Sequence, residues 1–267
     1  MKRSYFGIVG FISSKEVKKF DEKINYVKNG KSVRDLLLSA GKKIMIGVHV
    51  NLQSLNGYVS TNPNRYPLFD DVSKLFLSDE LYLNTIYYNS DDLKNLSRQL
   101  HQLAQIPNLS TIQLEMAWPD IDVVRDIKRS FPNLEIILQI GSAAYYEVGN
   151  SPSSLYSRIE LYKNFIDGVL IDIRRGPGML EDVNNELIKV VVDIHSRFSG
   201  KIGVAISGGL CADSVMNLIK VVEFIKSTEF GTKNLSVIAE SLIKDEKDQL
   251  SINEALKFIF ASYALFL

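Results

Sequence analysis

Short apolar runs recur along the chain, and longer segments with a helical repeat separate them. Each run is rich in Ile, Val, Leu, Phe and Tyr and is almost continuously hydrophobic, which is typical of a parallel strand buried on both faces. The pattern therefore predicts eight strands. They are Phe6–Ile12, Ile44–Asn51, Tyr82–Asn89, Ser110–Met116, Leu134–Gly141, Ile166–Ile173, Lys201–Ser207 and Leu235–Ser241.

The segments between these runs predict helices. In residues 90–105, leucines at positions 93, 96, 100 and 103 form a helical stripe, and Ser14 and Ser90 are candidate N-caps. Strands that alternate with helices about every thirty residues indicate an α/β fold, the parallel eight-stranded (β/α)8 TIM barrel. A doubly wound open sheet is the competing fold, but it usually has fewer strands and a glycine-rich first turn, which this sequence lacks.

The domain organisation follows from length and linkers. The chain has 267 residues, enough for one large α/β domain or two small ones, and no low-complexity linker divides it. We therefore expect a single TIM-barrel domain over residues 1–267. Residues 52–80 join the second and third strands, and because Asn, Gly and Pro fill their first half, we expect a long βα loop over the mouth of the barrel.

Charge, cysteine and histidine content limit the classes of binding partner, compartment and cofactor that we expect. Lys plus Arg and Asp plus Glu number 31 each, so no net field favours nucleic acid or a membrane surface. Cys211 is the single cysteine, which suits a reducing compartment, and we expect a cytoplasmic protein. The three histidines, His49, His101 and His195, are scattered, so we expect neither a zinc site nor another metal or organic cofactor.

Asp172 is the first candidate for chemistry, because it closes the sixth run and active sites of such barrels lie at the carboxyl ends of the strands. Alternation places Leu170, Asp172 and Arg174 on one face, toward the barrel interior. A carboxylate is costly to bury without a task or a partner. A catalytic role is favoured, and neutralisation by Arg174 is the structural alternative.

Other polar side chains share inward faces of neighbouring strands. Gln113 and Glu115 lie together on the fourth strand, His49 on the second, and Gln139 on the fifth. We consider Gln113, His49 and Arg174 as candidates for substrate binding. For Gln113, Gln139 and His49, a hydrogen-bonded structural role is the competing interpretation.

The turn Ser207–Leu210 follows the seventh strand and contains Gly208 and Gly209. Glycines let backbone N–H groups approach an anion, and barrels often bind phosphate in the loops after strands seven and eight. The alternative is a plain tight turn, and Glu240 at the end of strand eight repels phosphate unless it is paired. Cys211, predicted at the start of the next helix, fits a small buried residue better than a nucleophile.

Six segments, in the same order along the chain, carry a resemblance to a known family. They are "GIVGFISSKEV", "NPNRY", "TIQLEM", "DGVLIDIRRGPGM", "AISGGLCADSV" and "VIAESLI". They are similar to strand ends and loops of phosphoribosylanthranilate isomerase, and "AISGGLCADSV" is the best single match. The resemblance extends from about residue 6 to residue 243.

The resemblance implies an Amadori rearrangement of an aminoaldose phosphate to an aminoketose phosphate, with Asp172 as the general acid. It further implies that Arg65 contacts the carboxylate-bearing ring of the substrate. Ser207, Gly208, Gly209 and Ser241 would hold the phosphate. The reaction and the role of Arg65 follow from the resemblance alone.

The sequence also departs from the family pattern. Val9 stands where the family has its general-base cysteine, and Ser241, preceded by Glu240, stands where it has a glycine. Valine cannot accept a proton, so Glu115 is the remaining candidate for a base that works with Asp172. Arg174 and Arg175 are candidates to take over anion binding.

Two hypotheses follow from these features. The first is an enzyme that binds a small phosphorylated or carboxylated sugar-like molecule and catalyses an aldose–ketose or related reaction. The second is a barrel that has lost catalysis and serves as a binding or interaction protein.

The last segment of the chain, "ALKFIFASYALFL", is apolar on nearly all sides. Either the barrel or a second chain must cover it, and the second alternative predicts a homodimer.

Overall fold

Eight parallel strands close into a barrel in the computed structural model, which describes residues 4–172, 185–198 and 201–267. Each strand pairs with the next in the sequence, and the last pairs with the first. The predicted TIM barrel is confirmed, and the alternative of an open doubly wound sheet is wrong. The strands are β1 (Tyr5–Val9), β2 (Lys43–Asn51), β3 (Tyr82–Asn89), β4 (Thr111–Leu114), β5 (Glu135–Ile140), β6 (Gly168–Asp172), β7 (Gly203–Ser207) and β8 (Leu235–Ala239).

Helices connect the strands on the outside of the barrel. Those in the described ranges are α1 (Ser14–Ile24), α2 (Val33–Ser39), α3 (Leu52–Leu55), α4 (Phe69–Val72), α5 (Leu96–Ala104), α6 (Ile121–Ser130), α7 (Ser142–Glu147), α8 (Pro152–Tyr162), α9 (Asn185–Phe198), α10 (Ile219–Lys226) and α11 (Ile252–Phe266). The β2–β3 connection contains only α3, α4 and one turn of 3₁₀ helix. It is therefore mostly irregular.

Two helix starts differ from the sequence-based expectation. The N-cap of α1 is Ser13, not Ser14, because the Ser13 hydroxyl accepts the N–H of Glu16 while the Glu16 carboxylate accepts the N–H of Ser13. Helix α5 begins at Leu96, after a short 3₁₀ turn, and Ser90 instead accepts the N–H of Asp92. The hydroxyl of Ser13 thus caps α1 one residue before the predicted position, whereas the hydroxyl of Ser90 bonds to a backbone N–H in the turn that precedes α5.

Two apolar layers hold the barrel together. The outward faces of the strands pack against the helices, and a smaller cluster fills the interior. Its members are Tyr5, Val9, Met45, Leu83, Tyr87, Ile137, Leu170, Ala205 and Ile238. The small inward residues Gly7 and Gly47 make room for the bulky ones, since a Cβ on Gly7 would lie 2.8 Å from Ile238. The interior is a packed core below the carboxyl ends of the strands, as in other barrels of this kind.

Helix α11 covers one side of the barrel. Its buried residues include Phe258, Ile259 and Phe266, and the ring of Phe266 packs edge-to-face on Phe6 of β1. Phe260, on the other face, is half exposed. The barrel thus accounts for most of the apolar surface of this helix. In the described part of the chain, none of the helices has the length and apolar character needed to cross a membrane.

Candidate active site

A cavity of about 200 Å³ lies at the carboxyl end of the barrel. Seven of the candidates for catalysis, substrate binding or phosphate binding line it: Arg65, Glu115, Asp172, Ser207, Gly208, Gly209 and Ser241. They come from the β2–β3 connection and from the ends of β4, β6, β7 and β8. The barrel therefore brings together residues that are far apart in the sequence.

The remaining candidates are placed differently. His49 and Gln113 are fully buried and contact residues of the cavity lining without lining it themselves. Arg174 and Arg175 lie outside the described residues. The substrate-binding role of these residues therefore stays a prediction.

Asp172 is the last residue of β6, and its register partner on β7 is Ser207. The Gln139 amide Nε2 lies 3.4 Å from Asp172 Oδ2 and donates to it, while Gln113 Nε2 donates to Gln139 Oε1 at 3.1 Å. Two amides thus form a hydrogen-bonded row from the buried interior to the carboxyl group. Asp172 lines the cavity, at the face of β6 that alternation predicted.

His49 lies between two carboxylates. Its Nε2 is 3.0 Å from Glu240 Oε1, and its Nδ1 is 3.5 Å from Glu115 Oε2. At 3.5 Å the second contact is too long for a strong hydrogen bond, so Glu115 acts mainly through its charge. Burial alone lowers the pKa of His49, but the charges of Glu115 and Glu240 and the bond to Glu240 outweigh it, so the pKa is raised.

Glu240 has a second cationic partner. Arg65 Nη1 lies 2.6 Å from Glu240 Oε1, and the guanidinium group also stacks near the ring of Tyr66. Burial raises the pKa of Glu240, but the bond from His49 and the charges of His49, Arg65 and Lys244 overcome this and lower it to about 2. Glu240 is therefore ionised and paired. The charge repulsion that we expected between Glu240 and a phosphate is largely neutralised.

The turn after β7 has the backbone conformation expected of its glycines. Gly208 and Gly209 have φ angles of 105° and 72°, values that favour glycine. The Ser214 hydroxyl donates to the Gly209 carbonyl at 2.8 Å and accepts the N–H of Cys211 at 2.9 Å, which braces the turn. Gly208 and Gly209 can thus present their backbone to a ligand at the cavity surface.

One expectation about this turn is wrong. A 3₁₀ helix starts only at Val215 and α10 at Ile219, so no helix N-terminus directly follows Gly209. Cys211 lies in the turn and not at a helix start, because Ser214 caps the turn locally. A helix dipole therefore does not stabilise an anion at Gly208 and Gly209, and it does not activate the Cys211 thiol.

Two features of the site were missed from the sequence. Tyr87 of β3 lines the cavity and its hydroxyl contacts Met45 Sδ at 3.2 Å. Alternation along β3 gave a signal, since Leu83 and Tyr87 share the inward face. The bond between Arg65 and Glu240 had no such signal, because its geometry depends on how an irregular loop crosses the barrel mouth.

Carboxylate and amide side chains predominate among the polar side chains of the site. In the described ranges, no group of three or more His, Cys, Asp or Glu side chains is arranged to hold a metal ion. The carboxylates of Glu115 and Glu240 face opposite nitrogens of His49. The arrangement can accept and deliver protons and can bind hydroxyl groups, and the cation Arg65 stands at its edge.

Comparisons with known proteins support the fold. No protein-family model and no curated protein matches the chain. Among solved structures, the chain is similar to one described as native KDPGal, with 11% identity, a TM-score of 0.53 and coverage of 99% of this chain and 97% of that one. It is also similar to a rubisco-like protein from Burkholderia fungorum, with 16% identity and a TM-score of 0.56.

Coverage of the rubisco-like protein is partial: the match takes in 99% of this chain but only 61% of that one. A putative copper homeostasis protein CutC from Streptococcus agalactiae is similar with 10% identity, a TM-score of 0.53, and coverage of 89% of this chain and 98% of that one. At such low identities these likenesses show the TIM-barrel fold alone.

Proposed function

We propose that the chain is an enzyme that binds a small anionic, sugar-like molecule at the barrel mouth and transfers protons with Asp172 and Glu115. One observation carries this proposal: both carboxyl groups line the same cavity as the Ser207–Gly209 turn. Paired carboxyl groups at the carboxyl ends of barrel strands suit general acid–base catalysis. The cavity volume of about 200 Å³ suits a small molecule.

The reaction that fits best is an aldose–ketose rearrangement of the Amadori type, related to that of phosphoribosylanthranilate isomerase. Asp172 would give a proton to the ring oxygen of the sugar, which opens the ring. Glu115 would then take the proton from C2, because Val9 is fully buried and has no group that accepts one. Glu115 would return this proton to C1 while Asp172 takes the proton of the 2-hydroxyl group, so that the ketone forms and both carboxyl groups are restored.

The anionic group of the substrate is best placed at the Ser207–Gly209 turn. There Gly208 and Gly209 have positive φ angles and no side chains that would block an anion from the backbone. Glu240 is paired with Arg65, so it repels an anion less than a free carboxylate would. Ser241 lines the same side of the cavity. Arg174 is a further candidate for this role.

A second candidate function is a binding barrel without catalysis. The bond between Arg65 and Glu240 favours it, because the cation that the family resemblance assigns to the substrate is already held by a carboxylate of this chain. In this alternative, the site binds a ligand without turning it over.

A thermal-shift series tests both functions. Ribose 5-phosphate, an N-aryl ribosylamine phosphate and anthranilate would each be added to the unsubstituted protein and to Asp172→Asn, Glu115→Gln and Glu80→Gln. Glu80 is an exposed acid at the start of β3, on the opposite end of the barrel, and serves as the matched charge control. Turnover would be followed by ¹³C NMR of the sugar carbons.

We expect a sugar phosphate to raise the melting temperature of all four proteins, and Asp172→Asn and Glu115→Gln to lower turnover about 10²–10⁴-fold. Binding without turnover in the unsubstituted protein would select the binding barrel. If none of the three compounds shifts the melting temperature, the site does not take this class of ligand.

Assembly is a separate proposal. Phe224 of α10 and Phe260 of α11 are each about half exposed, and the two helices contact one another. A homodimer that covers these rings remains our prediction. Analytical ultracentrifugation of the chain and of a Phe224→Ser, Phe260→Ser variant tests it, and a monomer at micromolar concentration in both would contradict it.

A further inference from the structure

A second cavity lies at the opposite end of the barrel from the candidate active site. Its volume is about 400 Å³, and it is formed where β1, β2 and β8 begin and where α11 ends. The residues that matter for its chemistry are Ser4, Lys42, Thr232, Tyr263 and Phe266. This end of the barrel takes no part in the function proposed above.

Lys42 is the unusual residue of this cavity, because it carries an ammonium group and the residue as a whole is only 7% exposed. Its Nζ donates to Ser4 Oγ at 2.8 Å and lies 4.3 Å from the ring centre of Phe266. The Ser4 hydroxyl in turn donates to the Leu235 carbonyl. Among the described residues, no carboxylate side chain lies within ion-pair distance of Lys42.

The surroundings of Lys42 are positive. Lys233 lines the same cavity, and the charge of Lys226 also acts on Lys42. Burial, reinforced by Lys226, lowers the pKa of Lys42 to about 8. Among the described lining residues there is no Asp or Glu side chain, and the carboxyl group of Leu267, which also lines the cavity, makes no ion pair with Lys42, so the buried cation lacks a paired counter-charge.

A buried charge of this kind is costly in a folded protein unless something pairs with it. A cation–π contact with Phe266 and one hydrogen bond to a neutral hydroxyl supply only part of what an ion pair supplies. The cavity beside Lys42 is large enough for a small molecule to supply the rest. The shape and the charge thus point to the same kind of occupant.

We propose that this cavity binds a small organic anion, with the anionic group on the Lys42 ammonium and the Thr232 hydroxyl and the apolar part against Phe266 and Tyr263. A carboxylate and a phosphate monoester share this chemistry. Lys233, at the exposed edge, attracts the anion but is not covered by it. The site is independent of Asp172 and of the cavity at the barrel mouth.

Two-dimensional ¹H–¹⁵N NMR with assigned amides tests the site. Benzoate and phenyl phosphate are the two anionic probes, and benzyl alcohol is the neutral control of similar size. We expect both anions to shift the amides of Gly41, Lys42 and Thr232, and the alcohol to leave them unchanged. The anion that binds with the lower Kd shows whether the site prefers a carboxylate or a phosphate.

Lys42→Met is the decisive variant, because methionine keeps the apolar stem and removes the charge. We expect it to weaken anion binding at least about tenfold, since a hydrogen bond to a charged group is lost. Lys220→Met, at an exposed residue of α10 away from the cavity, is the matched control and should bind as the unsubstituted protein does. Lys233→Met, also exposed, should weaken binding by a smaller factor.

Three results would overturn the proposal. One is a set of shifts confined to Gly208 and Gly209, which would place the anions at the barrel mouth. Another is equal binding to the unsubstituted protein and to Lys42→Met. The third is the absence of any shift at millimolar benzoate and phenyl phosphate. If Lys42→Met does not fold, Lys233→Met, at an exposed side chain, tests the smaller expected loss, and binding of both anions equal to that of the unsubstituted protein would then overturn the proposal.

Discussion

Arg65 Nη1 and Glu240 Oε1 lie 2.6 Å apart across the mouth of the barrel. Arg65 belongs to the long β2–β3 connection and Glu240 directly follows β8, so the bond ties the irregular loop to the far side of the cavity. A second bond supports the first, since Asn64 Nδ2 donates to the Lys247 carbonyl at 3.0 Å. Glu240 also accepts from His49, so one carboxylate holds together a loop, a strand and the cavity wall.

The first prediction concerns the strength of this bond. A double-mutant cycle of Arg65→Met and Glu240→Gln should give a coupling free energy of about 1–2 kcal/mol in urea unfolding, because the pair is partly buried and in contact. The exposed pair Lys257–Glu254, in which Lys257 Nζ lies 2.7 Å from Glu254 Oε1 and the side chains are 64% and 41% exposed, is the control. Its coupling should be smaller, because solvent screens exposed ion pairs. Equal couplings in the two cycles would show that the loop is not tied at Glu240.

The second prediction is the pH dependence of this contribution. The folded-state pKa of Glu240 is about 2, below its ordinary value of 4.5, so its contribution to stability is present above pH 4.5 and is lost as the pH falls from 4.5 toward 2. The pKa of His49 is raised above 6.5, so its contribution is present below pH 6.5 and is lost as the pH rises through the higher folded-state value. The network should therefore stabilise the fold most between pH 4.5 and pH 6.5.

Urea unfolding at a series of pH values checks this window. The difference in the free energy of unfolding between the unsubstituted protein and Glu240→Gln should be greatest between pH 4.5 and pH 6.5 and should shrink on either side. A Glu254→Gln variant, at an exposed acid of α11, controls for general acid effects. A difference that stays constant from pH 2 to pH 8 would show that Glu240 is not coupled to protonation.

The eight strands could be predicted because their signal is local and strong. Each is buried on both faces, so hydrophobicity runs without a break, and Tyr82–Asn89 has the same bounds in sequence and structure. Most other strands were predicted to extend one to three residues too far at one or both ends, and the first two strands were predicted to begin one residue late. In Phe6–Ile12, for example, apolar residues continue past Val9 into the next loop, because the residues that follow a strand in a barrel are often buried as well.

The site could be predicted only as far as alternation reaches. Asp172 and Glu115 were placed at the mouth because strand periodicity fixes the direction of a side chain. The pairing of Arg65 with Glu240, and of His49 with both Glu115 and Glu240, depends on which strand ends meet across the barrel and on the course of the loop. Neither has a local signal, so His49 was predicted only as a substrate-binding candidate or a hydrogen-bonded structural residue, and not as a bridge between two carboxylates.

The third prediction tests the packing inside the barrel. In Gly7→Ala, the new Cβ would lie 2.8 Å from Ile238 Cγ1 and 3.1 Å from Ile238 Cγ2, so the variant should lose about 1–3 kcal/mol of stability. Because all three nearest atoms belong to the Ile238 side chain, Ile238→Ala should restore part of that loss. In urea unfolding, the double variant should lose less free energy of unfolding than the two single variants lose in sum.

Gly47→Ala is the comparison that should not be rescued in the same way. Its Cβ would lie 2.8 Å from Val9 Cγ2 but also 3.1 Å from the Val9 Cα and 3.0 Å from Tyr87 Cε2. Trimming Val9 to alanine removes only the first of these contacts. Full recovery of Gly47→Ala by Val9→Ala, or none of Gly7→Ala by Ile238→Ala, would contradict the packing described here.

The last prediction concerns His195, a fully buried histidine of α9. Neither of its ring nitrogens has a hydrogen-bond partner among the described residues, and burial lowers its pKa. An unsatisfied buried polar group destabilises a fold, and an apolar side chain of similar volume removes that cost. His195→Leu should therefore raise the free energy of unfolding, by about 1 kcal/mol at neutral pH.

The gain should grow in acid. Since the folded-state pKa is lowered, the unfolded chain binds a proton at His195 more readily, and the unsubstituted protein loses stability as the pH falls below 6.5. His101→Leu is the matched control, because His101 Nδ1 bonds the Ser97 carbonyl at 2.9 Å and its side chain is 35% exposed. That substitution should lower stability or leave it unchanged. A loss of stability in His195→Leu at every pH would mean that the ring makes a polar contact that the apolar side chain cannot replace.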